Sequence, residues 1–467
     1  MGTTVFKSLF VATIVATIVA SAGPAHAQDA HYWTQRYGTT ATLLGGTVVG
    51  SVRDLSATYY NPGGLALSAA PASILGAKAF QFNNIIVVNG AADGVDLSSP
   101  AFRPAPDLIA GMISGADSRH RFAYSLLIRQ RFDIQLQGRR IDTRDVISNA
   151  LGVESFAGEI LFAQDLTETW GGVTWSTTLG DHIGIGVTQY LAFRTQNSRF
   201  HTLAQALTTA QDVAVTISVD DYDFNHLRTL WKTGIAFDLG SLAAGVTITT
   251  PSIGLFGSGS ATFTRTVAGQ DRDGDGILDE SFASNFQDGV AANFGSPLSV
   301  AFGTAYRVGA TTGHFSAEWF DNVSRHQVLA IEPFVAQSSG ELVSNPLIHE
   351  LSSVFNYGFG LTHEVSEKFS AFGSVVSDYS GRMIESDANL AISSWDIYHL
   401  TGGAAFTVGG TELTVGLGYS FGSAPVQQPI DFTGASEANQ LRGVTNPDSR
   451  VKFRGFRFIF GFSVARQ

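Results

Sequence analysis

The densest chemistry in the chain is an acidic run, Asp271-Arg272-Asp273-Gly274-Asp275-Gly276-Ile277-Leu278-Asp279-Glu280. Oxygen donors at relative positions 1, 3, 5 and 9, with glycine at 6, match the opening of a calcium loop. Asp271, Asp273 and Asp275 would offer side-chain oxygens, Ile277 its carbonyl, and Asp279 an oxygen directly or through water. Position 12 is Phe282 where a bidentate glutamate is usual, so Glu280 or another residue would complete the shell. The alternative is a solvated acidic turn. Calcium in the loop 268–293 is the one cofactor these residues suggest, and none is required.

A second set is cationic. Arg129, Arg131, Arg194, Lys232, Arg307 and Arg457 stand in otherwise apolar, alternating segments, on the parity opposite the apolar residues. One of them could grip an incoming carboxylate, arginine being suited to a bidentate hold. The alternative is that they pair with acids such as Asp133 and Asp238 and brace the structure. A third set is conformational. In Asn61-Pro62-Gly63-Gly64, Pro62 pushes Asn61 out of helical geometry and the glycines can adopt positive φ, which reads as a tight turn. Nothing points to catalysis. The 11 histidines lack metal spacing, the chain has no cysteine, and no serine nucleophile turn stands beside a base, so the protein reads as a non-enzyme.

The elements that must position these residues alternate. Ile183, Ile185, Val187, Leu191 and Phe193 share one parity, while Gly184, Gly186, Thr188 and Arg194 share the other. Period two means a strand with one apolar and one polar face. The pattern recurs over 298–308, 355–361 and 413–421. Such segments, apolar towards lipid and polar towards a lumen, describe an all-β, transmembrane antiparallel β-barrel. Arginine on the lipid face would cost ~2–4 kcal/mol at midplane, which is why the six cations are expected inside. A soluble secreted sandwich would carry more charge on these faces.

Counting by parity and turn signals gives about fourteen strands, near 73–88, 104–115, 119–138, 155–178, 181–203, 211–239 and 242–267, then 294–309, 312–333, 348–364, 367–385, 390–409, 411–426 and 446–466. Short turns then alternate with long loops at 89–103, 139–154, 204–210, 268–293, 334–347, 386–389 and 427–445. That asymmetry predicts periplasmic turns and extracellular loops, and an even count predicts periplasmic termini.

The N-terminus supplies the address. Lys7, a short apolar stretch over 8–20, the Gly23-Pro24 break and Ala25-His26-Ala27 form a signal peptide over 1–27. No cysteine follows the cleavage site, so a lipoprotein anchor is excluded, and no later apolar run is long enough for a spanning helix. The expected location is the outer membrane of a Gram-negative bacterium, as a monomer in contact with outer-membrane lipids. With 51 glycines, 34 phenylalanines and 15% charged residues the composition suits a barrel, and a net charge of −12 argues against nucleic acid as a partner.

The segment 28–72 is rich in small residues and does not read as a strand pair, whereas 73–467 carries the barrel; a barrel of this size has room for an N-terminal plug. The stretch Ala57-Thr58-Tyr59-Tyr60-Asn61-Pro62-Gly63-Gly64-Leu65-Ala66 resembles the hatch motif of FadL-like outer-membrane transporters of long-chain fatty acids and other hydrophobic compounds (FadL/TodX type), with Gly63 where alanine is usual. The stretch Thr249-Thr250-Pro251-Ser252-Ile253 is also similar to that family. The resemblance implies a fourteen-stranded barrel with an N-terminal hatch, passively taking up hydrophobic small molecules or fatty acids and releasing them sideways through a kink in the third strand. That strand, 119–138, has no glycine or proline before Gly138, so no kink is legible there. A hatch-containing barrel that shuttles or anchors secreted proteins, and a general diffusion porin, are the alternative readings.

Overall fold

The computed structural model describes residues 26–68, 74–75, 78–105, 108–114, 118–147, 150–271, 277–383, 385–408, 411–426, 430, 432, 435, 441 and 449–464. The signal peptide, up to residue 25, and residues 272–276 of the acidic run lie outside the described residues.

The chain enters with β1 (His26–His31) and three short helices, α1 (Thr39–Leu43), α2 (Ala57–Tyr60) and α3 (Pro62–Ala66). Strands then follow almost without interruption: β2 (Ile74–Leu75), β3 (Lys78–Ala92), β4 (Val95–Ala105), β5 (Ile109–Met112), β6 (His120–Arg144), β7 (Glu154–Leu179), β8 (Ile183–Leu207) and β9 (Val213–Asp238). Next come β10 (Leu242–Thr249), β11 (Ile253–Gln270), β12 (Asp279–Ala291), β13 (Ser299–Val308) and β14 (Thr311–Phe320). The small strands β15 (Val323–Gln327), β16 (Phe334–Val335), β17 (Leu342–Val343) and β18 (Ile348–Leu351) form two hairpin-like pairs in one connection. The chain finishes with β19 (Val354–Ser366), β20 (Phe369–Asp378), β21 (Ser380–Arg382), β22 (Ile397–Val408), β23 (Thr411–Val426) and β24 (Ser449–Val464). No helix among the described residues is long and apolar enough to cross a membrane.

Neighbouring strands pair antiparallel, and β24 pairs back with β3, so the last long strand joins the first in one large curved sheet. One span breaks at Pro251: β10 pairs with β9 and β13, while β11 pairs with β9 and β12. The loop expected over 89–103 is instead largely strand. The chain turns at Asp93-Gly94, with Gly94 at φ +75°, and Ala92 pairs with Val95. Pro100 is accommodated within β4 because that strand is paired on one side only. Among the described residues β4 has a ladder with β3 but none with β6. The far ends of the expected strands at 312–333 and 367–385 leave the wall, since β14 ends at Phe320 and β20 at Asp378, and they form β15 and β21, which pair with β18 and β1.

Alternation explains the wall. Along β8, Leu191 and Phe193 are exposed while Tyr190, Ala192 and Arg194 are buried inside. Strands β6 to β9 run 25 or 26 residues, far more than the ~9–11 needed to cross a bilayer. Above the row Ile128–Thr169–Phe193–Leu227 the outward residues become polar: Thr167, Thr195 and Asn225, then Asp165, Asn197 and Asp223. The inside becomes apolar there, with Phe132, Ile134, Leu136, Phe156, Ile160 and Phe453 sharing one buried cluster. The expectation of a polar lumen thus holds only for the lower part. Above the outer apolar belt the wall faces water and buries its greasy face inward, as a soluble sheet does.

Candidate functional site

The inner wall is cut to receive the N-terminal segment. Asn61 caps α3: its side chain accepts from Gly63 N at 3.1 Å, and Pro62 opens the helix where a missing N–H costs nothing. The expected positive-φ turn is absent; Gly63 and Gly64 are helical. Glycine is needed there for close approach. A Cβ on Gly63 would lie 2.5 Å from Gly184 O, and one on Gly64 2.5 Å from Val52 O. The wall answers with its own glycines: a Cβ on Gly184 would meet Gly63 O at 2.1 Å, and one on Gly234 would meet Asn61 Oδ1 at 2.2 Å. Asn61 Nδ2 donates to Val49 O (2.9 Å) and Ile235 O (3.0 Å), tying segment to barrel.

A buried carboxylate holds the segment higher up. Asp378 accepts from the backbone N–H groups of Tyr32 (3.2 Å) and Trp33 (2.9 Å) and from Thr34 Oγ1 (2.6 Å). Trp33 Nε1 donates to Glu318 (2.8 Å), and Asp29 accepts from Ser393 and Ile392 N. Burial keeps the His31 imidazole below its ordinary pKa.

Between segment and wall lies a cavity walled by Tyr32, Tyr59, Trp170, Phe294 and Phe320 with Arg129, Lys232, Glu168 and Glu318 among the polar groups. Burial pushes the Tyr59 phenol up to about 12, so it acts as a neutral ring. Beneath Phe294 sits an ion cluster: Glu168 pairs with Arg194 (3.2 Å) and Arg228 (2.6 Å), and both guanidiniums lie against the Phe294 ring at 3.9 and 4.8 Å. Glu168 also accepts from Trp170 Nε1 at 2.7 Å.

The predicted cations separate into five groups. Arg129 and Lys232 face the cavity. Arg194 is a brace, partnered by Glu168 rather than by Asp133 or Asp238. Arg457 is buried and donates to Thr34 O and Gln81 Oε1. Arg307 is exposed at the rim and pairs with Glu364, which corrects its expected lumen position; the residue has inward parity but lies beyond the end of the lumen. Arg131 is corrected for another reason. The β6–β7 pairing slips between Ile128 and Gln130, a bulge at Arg129 that reverses the parity of everything after it. Arg131 and Asp133 therefore leave the lumen and line a gap between β4 and β6, with Ser98, Pro100, Phe102 and Gln135. There a side chain replaces the ladder: Gln135 N donates to Ser99 Oγ at 2.9 Å. Asp238 lies 3.8 Å from Arg53. Of the acidic run, Asp271 and Ile277 are described while Asp273 and Asp275 are not, and Asp279 begins β12.

Sequence reading missed Glu168, Arg228, Glu318 and Asp378. The first three share the parity of buried neighbours such as Trp170 and Leu230, a usable signal. Asp378, at a strand end, gives none.

An antiparallel barrel with an apolar outer belt defines the class, an outer-membrane-type β-barrel. More particularly, the chain has the fold of FadL-type outer-membrane transporters. No family model and no curated protein matches it, but solved structures do. A Pseudomonas aeruginosa FadL homologue is similar over 93% of this chain and 100% of its own, with TM-score 0.57 and 13% identity. The Pseudomonas putida toluene transporter TodX is similar over 93% of this chain and 99% of its own, with TM-score 0.53 and 13% identity. These neighbours are transport proteins, not enzymes.

Proposed function

We propose that the protein is a monomeric outer-membrane channel for passive uptake of hydrophobic small molecules, with fourteen membrane spans and residues 28–72 as its hatch. The termini are periplasmic and the long loops extracellular in this reading. The observation that carries it is the aromatic cavity lying beside an opening in the wall. The bulge residue Arg129 points into the cavity, and Arg131, two residues on, lines the gap. In this reading a molecule held in the cavity leaves sideways past β6 rather than through the hatch. The buried N-terminal segment weighs against a general porin.

The test exploits the absence of native cysteine. Cysteines at Phe102 and Asp133, joined by a bifunctional maleimide, should stitch the gap and cut entry of toluene into proteoliposomes at least tenfold, with reversal when a cleavable linker is cut. Undiminished entry through the stitched protein rules out the lateral route; glucose leaking through the parent at a comparable rate would return the porin reading.

Calcium binding by Asp271, Asp273, Asp275, Ile277 and Asp279 is proposed on the spacing alone. Protease added to intact cells should cleave within 268–293, more slowly with millimolar calcium. The change of Asp271, Asp273 and Asp275 together to asparagine should abolish the calcium effect. Cleavage only after the outer membrane is opened would reverse the orientation.

A further inference from the structure

Buried cations in this barrel are not treated alike. Arg194 and Arg228 share Glu168, and Arg457 spends its guanidinium on Thr34 O and Gln81. Arg129 and Lys232 are as deeply buried, at 6% and 4% exposure, yet among the described residues neither forms an ion pair with a carboxylate. What surrounds them is aromatic. The Arg129 guanidinium lies 6.0, 5.9 and 5.6 Å from the rings of Tyr32, Tyr59 and Trp170, and Lys232 Nζ lies 4.6 Å from Tyr59.

The acids nearby are already engaged. Glu318 accepts from Trp33 Nε1 and Ser299 Oγ, and Asp29 accepts from Ser393 Oγ and Ile392 N. The cavity is lined by Arg129 and Lys232 together with Asp29, Glu168 and Glu318, and Glu168 is shared by Arg194 and Arg228 beneath it. Unpaired buried charge is costly, and ring faces offset only part of that cost. A carboxylate delivered from outside would give Arg129 and Lys232 the direct partner that the rings do not supply.

We propose that the cavity is an anion site for compact aromatic carboxylates: Arg129 and Lys232 take the carboxylate, and Tyr32, Tyr59, Trp170, Phe294 and Phe320 take the ring. The inference rests on the uptake reading and narrows its substrate. Arginine and lysine supply directional and point-charge partners for a carboxylate. Rings in offset or edge-on contact suit a flat body rather than a long flexible chain. A neutral arene would leave both cations unmatched.

The probes are benzoate, its neutral counterpart toluene, and palmitate, titrated calorimetrically at pH 7 into full-length protein in detergent micelles. The parent should bind benzoate at least tenfold more tightly than toluene or palmitate. Lys232→Met and Arg129→Met should each weaken benzoate at least tenfold and leave toluene unchanged, with heat-modifiability confirming the fold. The parent ranking decides the matter even if Arg129→Met, at the bulge, does not assemble. A parent that prefers toluene or palmitate, or a Lys232→Met protein that keeps benzoate affinity, overturns the anion site. Entry of the same probes into proteoliposomes is read separately. Toluene or palmitate entry without benzoate binding leaves the channel standing and removes the anion site, whereas failure of every probe to enter removes the uptake reading itself.

Discussion

Gly184→Val should raise single-channel conductance in planar bilayers several-fold while leaving the barrel folded and heat-modifiable. The substitution suits its own strand, since β8 is extended there and β-branched residues favour that geometry. What it does not suit is the N-terminal segment. A Cβ at 184 would sit 2.1 Å from Gly63 O, a contact with backbone that no rotamer change relieves. Either α3 lifts away, with loss of the Asn61 bonds to Val49 and Ile235, or the wall bends. The segment is the softer partner, because it docks on the wall while the wall strands are laddered on both sides. Gly171→Val is the control, because the Cβ there meets only Leu126 Cδ1 at 3.8 Å. If both variants conduct like the parent, the segment 28–72 does not gate the lumen.

That glycine-on-glycine contact also marks the limit of what could be read beforehand. Parity along 183–194 revealed the strand and its two faces, because a period of two survives whatever the partner strands do. The Asn61-Pro62-Gly63-Gly64 motif was legible as special, but its glycines read as a turn. The true reason, backbone packing against β8 and β9, belongs to residues 120 and more positions away. The bulge at Arg129 left no mark either: no glycine or proline sits there, so Arg131 and Asp133 appeared to continue the lumen face. A one-residue slip is invisible to any pattern that assumes regular pairing. The interior ion cluster was half legible. Arg194 was picked out, while its partner emerged only when Glu168 on β7 was placed directly across from it in the ladder.

That cluster carries the other large expectation. Glu168→Met should lower the free energy of unfolding in urea by about 3–5 kcal/mol, the usual cost of stripping the partner from a buried charge. Two guanidiniums depend on this one carboxylate, and their side chains are 2% and 0% exposed, so water cannot replace it without entering the core. Phe294 would also lose its seat, since its ring rests on both cations and closes the cavity from one side. The size of the loss does not mean that the ion cluster is worth that much. Changing Glu168, Arg194 and Arg228 together to methionine should recover most of it, because an apolar replacement of similar volume removes the desolvation cost along with the attraction. The triple variant then separates stability from function. It keeps the barrel and the Arg129–Lys232 pair but removes the electrostatic floor of the cavity. A Glu168→Met protein as stable as the parent would mean that water reaches Arg194 and Arg228, and that the lumen below Phe294 is wet.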